Sequence, residues 1–373
     1  MLIAHMIDSL DASGGAENAL AALAAQWVKD GHETHIFVLK GSGGLQVPLQ
    51  DLGVTVTAVP GGRQRLREAS RLVDALRPDV LHTSLFEADL LGRRTARRLG
   101  VPCVSSIVAT GYGADHYGDP RLTWWRVAGA HALDAATGLS VDRFHAVSHH
   151  AARTMSRRLL IPAGKITVIP RGKDPMVLGS AGDTRRREVR QRLRQSNEAP
   201  LLLAAARHEQ VKGLDLLLGA MPTILQSSPE ARLVVAGREG AATPMLQQLI
   251  SNLGLGHAVT LLGRRDDVPD LIAAADLVVV PSRREGISNV AIEAMCIGTP
   301  IVASDVPAVR ETVGGDAHAD LVVPTSEGIA GAVLARLQSG GTKTAVARAY
   351  FDAHYNIDSV ARQMVDLYRS VRA

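Results

Sequence analysis

Short apolar, β-branched runs alternate with stretches of helical period along almost the whole chain. In the first half LIAHMI (2–7), HIFVL (35–39), VTVTAV (54–59), DVLH (79–82), CVSSIVA (103–109), FHAVS (144–148) and ITVIP (166–170) predict strands. Between most of them the apolar residues shift to a spacing of three and four. In AENALAALAAQWVKD (16–30), for example, Leu20, Leu23 and Trp27 share one face. The rhythm breaks over 171–200, which is polar, rich in arginine and lacks a strand pattern. It restarts with LLLAAA (201–206), RLVVAG (232–237), AVTLLG (258–263), DLVVV (276–280) and PIVAS (300–304). Such alternation predicts an α/β chain whose mainly parallel sheets carry helices on both sides.

The break and the restart predict two doubly wound, Rossmann-like domains. The first covers 1–175; a linker and an exposed helix follow at 176–198; the second domain covers 199–373. A length of 373 residues also exceeds what one core usually serves. In the last helical stretch, SVARQMVDLYRSVR (359–372), Val360, Met364, Leu367 and Val371 form one apolar stripe. Open sheets of this kind bind ligands at the carboxyl ends of their strands, here expected in a cleft between the domains.

Composition narrows the class. The chain is 46% hydrophobic and 21% charged, an ordinary balance for a globular protein, and no stretch reaches the roughly 18 apolar residues of a membrane span. The N-terminal segment lacks a basic, signal-like region, and Cys103 and Cys296 lie far apart in apolar surroundings. Buried thiols and a cytoplasmic location are the expectation. Residues 1–175 carry 20 Lys and Arg against 16 Asp and Glu, and the remainder carries 21 of each. The excess gathers in RQRLREASR (63–71) and GRRTARR (92–98). These are either solvated helix faces or a weak attraction of the first half to an anionic membrane surface or a phosphorylated acceptor. With 3% aromatic residues and no recognised motif, nucleic acid is not an expected partner.

Three stretches could carry chemistry. DSLDASGGAENAL (8–20) places Gly14 and Gly15 where a strand runs into a helix, a turn whose amides and dipole favour an anion. It is not G-x-G-x-x-G, and the second strand ends at Lys40 rather than at the acid that would hold an adenosine ribose, so a dehydrogenase is disfavoured. In AAARHEQVKGLDLLL (204–218), Arg207 follows a strand and Lys212 precedes a helix. The two are either exposed loop charges or a pair of cations suited to a diphosphate. PSRREGISNVAIEAM (281–295) sets Glu285 and Glu293 eight residues apart between a buried strand and an otherwise apolar helix. The amides from Gly286 through Ile287, Ser288, Asn289 and Val290 should open at the helix N-terminus. Glu285 can accept from ligand hydroxyls, and Glu293 has the two oxygens a ribose diol demands. A carboxylate on so apolar a helix needs a partner, either a nearby cation or a ligand. Asn289 is the expected N-cap, or else a donor to a sugar hydroxyl.

The last of these stretches, continued as PSRREGISNVAIEAMCIGTPIVASD, resembles the E-x7-E region of retaining nucleotide-sugar glycosyltransferases of family 4. ARHEQVKG is similar to their Arg-plus-Lys-Gly element, and SGGAE (13–17) to their Gly-Gly-Ala-Glu. VIPRGKD (168–174) resembles their Ile-Pro-Asn-Gly-Ile/Val-Asp, and LLGRRDDVPDLIAAADLVVVPS (261–282) fits in order and spacing. The resemblance implies a GT-B fold, two Rossmann-like domains facing each other across a cleft, with the final helix (about 357–372) crossing back to the first. It implies that Arg207 and Lys212 bind the diphosphate and that Gly14 and Gly15 meet it through backbone. It implies that Glu285 with Gly286–Asn289 holds the donor sugar, that Glu293 holds the ribose, and that Arg264 lies near the base. Two departures stand out. Val108 and Ala109 occupy the place of a histidine that family members often carry, leaving His116 as a catalytic candidate or a mere surface residue, and Arg171 replaces an asparagine.

The expectation is therefore a retaining hexosyltransferase working from a UDP- or GDP-sugar on a hydroxyl acceptor: a sugar, a lipid-linked glycan or a small molecule. No cofactor and no metal are expected. The chain has no D-x-D, and DDVPD (266–270) reads as a helix start. The alternatives are a nucleotide-sugar epimerase of the same fold and a non-catalytic nucleotide-sugar-binding subunit.

Overall fold

The computed structural model describes residues 1–372 apart from Ser13, Ser42, 114–116, 118–122 and 340–342. The chain divides into two compact units. The first comprises Met1–Gly172 with Ile357–Ala373, and the second Lys173–Asn356.

The first unit is a seven-stranded sheet built from β1 (Leu2–Ile7), β2 (Glu33–Val38), β3 (Thr55–Ala58), β4 (Val80–Ser84), β5 (Cys103–Ile107), β6 (Arg143–Ala146) and β7 (Ile166–Val168). Their order is β3-β2-β1-β4-β5-β6-β7, every pair parallel. Strand alternation divides the core. Ile3 and Ile7 face α1 (Gly15–Lys29), α2 (Gln46–Asp51) and the C-terminal α16 (Ile357–Ser370). Met6 and Thr83 face α4 (Phe86–Leu99), where a Cβ on Gly92 would stand 2.4 Å from the Thr83 methyl. Beside α4 lie α3 (Arg65–Leu76) and α5 (Trp124–Gly138), and α6 (His149–Arg158) follows β6. The helix α16 packs on α1 through Tyr368, edge-on to Trp27 at 5.7 Å. A polar thread runs through this core. His5 Nε2 pairs with Ser84 Oγ, and His82 with both Tyr368 Oη and Ser106 Oγ at 2.7 Å. His145 joins Ser106 and the Ile169 carbonyl. Burial depresses all three imidazoles, His5 to about 3, His145 to about 4 and His82 well below the ordinary range.

The second unit has six parallel strands in the order β10-β9-β8-β11-β12-β13. They are β8 (Leu201–Ala205), β9 (Arg232–Ala236), β10 (Val259–Gly263), β11 (Leu277–Val280), β12 (Ile301–Ser304) and β13 (Asp320–Val322). On one face α9 (Leu214–Ser227), α10 (Thr243–Asn252) and α14 (Ser326–Ser339) bury a core around Leu217, Met221 and Val333. The other face carries α8 (Asp183–Arg192), α11 (Val268–Ala274), α12 (Asn289–Ile297) and α15 (Thr344–His354). The short α7 (Pro175–Leu178) opens the unit, and α13 (Pro307–Val313) follows β12. The three-residue β13 is too short to show a period and was not among the expected strands.

One boundary needs correction. The stretch 176–198, expected as a linker with an exposed helix, belongs to the second unit. Val189 and Arg190 of α8 are buried. The Arg190 guanidinium reaches Asp276 Oδ2 at 2.6 Å and the carbonyls of Ala274, Ser196, Asn197 and Ala199. Arg186 takes the other Asp276 oxygen. An arginine supplied with a carboxylate and carbonyls can be buried, which a polar composition conceals.

Candidate functional site

In the second sheet the chain leaves β8 toward β9 on one side, while β11 lies on the other. That reversal opens a crevice at the carboxyl ends of β8 and β11, where open α/β sheets bind ligands. Two loops meet there. The first, after β8, carries Arg207, exposed and without an ion pair among the described residues, and then a tight turn over Gln210–Lys212. Gly213 closes the turn at φ +65°, where a Cβ would stand 2.0 Å from the Pro281 carbonyl oxygen. Only glycine fits that approach, which seats Lys212 against the second loop. Lys212 Nζ donates to Glu285 Oε1 at 2.6 Å, and Ser282 Oγ donates to the same oxygen at 2.8 Å. Arg283 braces the assembly. It forms a two-pronged pair with Asp215 at 2.7 Å and donates to the Gln210 carbonyl. Sequence reasoning gave Arg283 no part, because its partners Gln210 and Asp215 lie about 70 residues earlier, and it also passed over Ser282, whose partner Glu285 is only three residues on.

The helix α12 is buried on nearly every side, with Ala291, Ile292, Met295 and Cys296 inaccessible. Its one charge, Glu293, is answered by Lys173, whose Nζ donates to Oε1 at 2.5 Å. Lys173 occupies the Ile/Val position of the linker motif, and that substitution was the available signal for it. Each of Glu285 and Glu293 has one oxygen, Oε1, held by a lysine.

The helix start differs from expectation. Ser288 is the N-cap and Asn289 the first helical residue, and the Ser288 amide donates inward to Thr312 Oγ1 at 3.2 Å. That N–H is therefore not among those open to a ligand. Ser288 Oγ and Asn289 Oδ1 are buried without a hydrogen-bond partner among the described residues. Such atoms cost about 1–3 kcal/mol each unless a polar group meets them. Ile287 is buried, and Gly286 and Val290 are partly exposed. Arg264 follows the outermost strand β10, two strands from β8; it is half exposed and lies 3.5 Å from Asp266.

In the first unit, Gly14 is the N-cap of α1 and Gly15 its exposed first residue. A Cβ on Gly14 would sit 1.9 Å from Glu17 Oε2, because the glutamate folds back over the helix start, where Ser9 Oγ also donates to it. The helix dipole thus already faces a carboxylate. His116 lies outside the described residues. Four residues earlier in sequence, Tyr112 donates to the buried Asp134 at 2.9 Å and stacks on His131 at 4.4 Å. Among the described residues no cluster of His, Cys, Asp and Glu could hold a metal ion. Both cysteines are free and buried, their thiols pushed up by burial to about 12 for Cys103 and about 11 for Cys296. No helix of the described residues is long and apolar enough to cross a membrane.

Two parallel doubly wound units, the second with this crevice, are the architecture of GT-B glycosyltransferases. Residues 13–176 match the family model for Glycosyltransferase Family 4, and residues 199–339 that for Glycosyl transferases group 1. D-inositol 3-phosphate glycosyltransferase 1 of Catenulispora acidiphila is 30% identical over 338 residues, covering 81% of this chain and 78% of that protein. Alpha-D-kanosaminyltransferase of Streptomyces kanamyceticus is 28% identical over 291 residues, covering 74% and 72%. The Anabaena protein HepE, solved in complex with UDP and glucose, superimposes with a TM-score of 0.85 at 20% identity over 99% of this chain and 100% of that one. The chain belongs to glycosyltransferase family 4 and is a nucleotide-sugar glycosyltransferase of the GT-B fold.

Proposed function

We propose that the enzyme transfers a hexose from UDP- or GDP-sugar to a hydroxyl acceptor with retention at the anomeric carbon, without metal or other cofactor. The observation that carries this reading is the pair of lysine-held carboxylates. Glu285 stands on Lys212 and Glu293 on Lys173, each with Oε2 unbonded among the described residues. A carboxylate fixed at one oxygen presents the other in a set direction to a ligand hydroxyl. Glu285 holds the donor sugar and Glu293 the ribose, while Arg207 and Lys212 neutralise the departing diphosphate. The unpaired Ser288 Oγ and Asn289 Oδ1 supply further contacts to the donor. A phosphate oxygen of the leaving group takes the acceptor proton on the same face, so no strong protein base is required. Arg264 is assigned to the donor's periphery.

The relative that acts on D-inositol 3-phosphate and the relative named for kanosamine transfer differ in acceptor, so the acceptor is left at the level of a hydroxyl. A thermal-shift panel of UDP, GDP, ADP and their sugars tests the donor, since a bound nucleotide raises the melting temperature by mass action. Proton NMR of the first product tests retention. An inverted anomer overturns the stereochemistry, and activity lost in chelator and restored by magnesium or manganese overturns metal independence. Isomerised free sugar without acceptor would turn the reading to an epimerase.

A further inference from the structure

The helix α5 is turned inside out by the usual standard. Along its outer side run Trp125, Gly129, Ala132, Leu133 and Ala136, spaced at helical period, and all are exposed. Trp125 is 54% accessible and Leu133 45%; Trp124 at the helix start is 67% and Leu139 at its end 78%. The one acid of α5 points inward instead, because Asp134 is buried on Arg93 at 2.6 Å. The stripe is about 22 Å long. Scattered exposed apolar residues need no explanation, but a continuous line ending in two tryptophans does.

The flanks say what covers it. On one side α4 exposes Arg94, Arg97 and Arg98; on the other α6 exposes Arg153 and Arg157. The helix α6 lies against α5 where His131 Nε2 meets the Arg158 carbonyl at 2.7 Å. Arg126 adds a cation over the Trp125 ring, 5.2 Å from its centroid. Among the described residues of α4, α5 and α6 no free acid offsets these charges. Asp89 is buried beside Arg93, Glu87 is taken by Lys40 at 2.6 Å, and α6 has no acid at all. An apolar stripe ending in tryptophans between two rows of arginine is the pattern of a helix that lies in a bilayer interface. Its aromatic rings sit at headgroup depth and its cations meet lipid phosphates. A second copy of the chain fits worse. A two-fold contact of α5 on α5 would bring both copies' arginine rows together, at a cost in repulsion.

We propose that α5 docks the enzyme flat on an anionic phospholipid surface, with Trp124, Trp125 and Leu133 entering the interface and the arginines of α4 and α6 holding headgroups. This is independent of how the donor is bound. The test uses the full chain with vesicles of phosphatidylcholine alone or mixed with phosphatidylglycerol. Trp27, the third tryptophan, is fully buried, so a change in emission reports on the other two. The expected result is co-sedimentation with the mixed vesicles and a blue shift in emission, both weakened by salt. The double variant Trp125→Ala with Leu133→Ser, and the double charge reversal Arg94→Glu with Arg97→Glu, should each lower vesicle affinity at least about tenfold. All four residues are exposed, so the melting temperature should match the parent, and this separates lost docking from lost folding. Absence of binding to mixed vesicles at low salt overturns the proposal, as does equal binding by the variants. It is equally overturned by a blue shift that tracks protein concentration without vesicles, which assigns the stripe to a second copy. A shift produced by soluble saccharide assigns the stripe to sugar and overturns it too.

Discussion

Glu293 shows how one charge on a buried helix can be tolerated. An unpaired carboxylate there would be neutral or ruinous, but Lys173 supplies a counter-ion 120 residues away in sequence. Under the proposed roles the two carboxylate–lysine pairs should behave differently. Glu293→Gln, with fewer accepted bonds from a ribose diol, should weaken donor binding by about 1–3 kcal/mol in calorimetry. Unchanged affinity would assign the residue to structure. Lys212→Ala should depress turnover at saturating donor, because charge on the diphosphate grows toward the transition state; normal turnover would remove Lys212 from the leaving-group role. Gly213 supports both. Gly213→Ala must adopt a left-handed backbone and push a methyl into the Pro281 carbonyl, so a loss of at least about 2 kcal/mol by urea unfolding is expected. The Lys-Gly pair and the two glutamates were legible because each is a local pattern. Lys173 and Arg283 were not, because nothing near them in sequence states their partners.

At the scale of elements, the strands and most helices follow from period alone, while α8 does not. Its sequence, DTRRREVRQR, has one apolar residue and reads as solvent-exposed. Tertiary contact reverses that reading through Asp276, which takes Arg186, Arg190 and the amide of Leu201. Arg190→Ala removes one of the two guanidinium partners of Asp276, leaves four carbonyls without their donor and opens a void, so it should destabilise the second unit by at least about 2 kcal/mol, seen as an earlier unfolding transition. Arg190→Met, which keeps packing but not charge, should lose a similar amount; a variant as stable as the parent would show the pair contributes nothing. The helix α5 errs in the opposite direction. Its alanines and leucine suggest a core helix, yet the inner side holds Val127 and the Asp134–Arg93 pair, and Trp125, Ala132, Leu133 and Ala136 face out.

At the scale of the molecule, the two units should differ in their response to acid. The first buries three imidazoles whose folded pKa values lie below the unfolded 6.5. The unfolded chain therefore takes up protons that the folded chain refuses. Stability is complete above about 6.5 and is lost as pH falls from there toward the folded values, about 3 for His5 and about 4 for His145, with His82 also well below the ordinary range. His5 and His145 should each cost about 2 kcal/mol between pH 6.5 and 5, and His82 adds to the loss in the same direction. Asp89 works against this. Burial raises its carboxyl to about 6, so it gains a proton in the folded state first and offsets part of the loss over the same range. Three groups outweigh one. Unfolding by urea at pH 7.5 and 5 should show the first unit's transition moving to lower denaturant by more than the second's. Equal movement would mean that the histidine thread is hydrated or already charged.

The sequence by itself determined the alternation of strand and helix, the number of doubly wound units and the loops at their carboxyl ends. Those properties depend on local period and turn chemistry, which a chain carries wherever it is read. Tertiary structure alone decided which lysine answers Glu293, that α8 belongs to the second unit, and which side of α5 meets solvent. Each of these is a pairing between residues distant in sequence. A charge, a buried arginine or an apolar stripe takes its meaning from a partner, and only the folded chain brings the partner within reach.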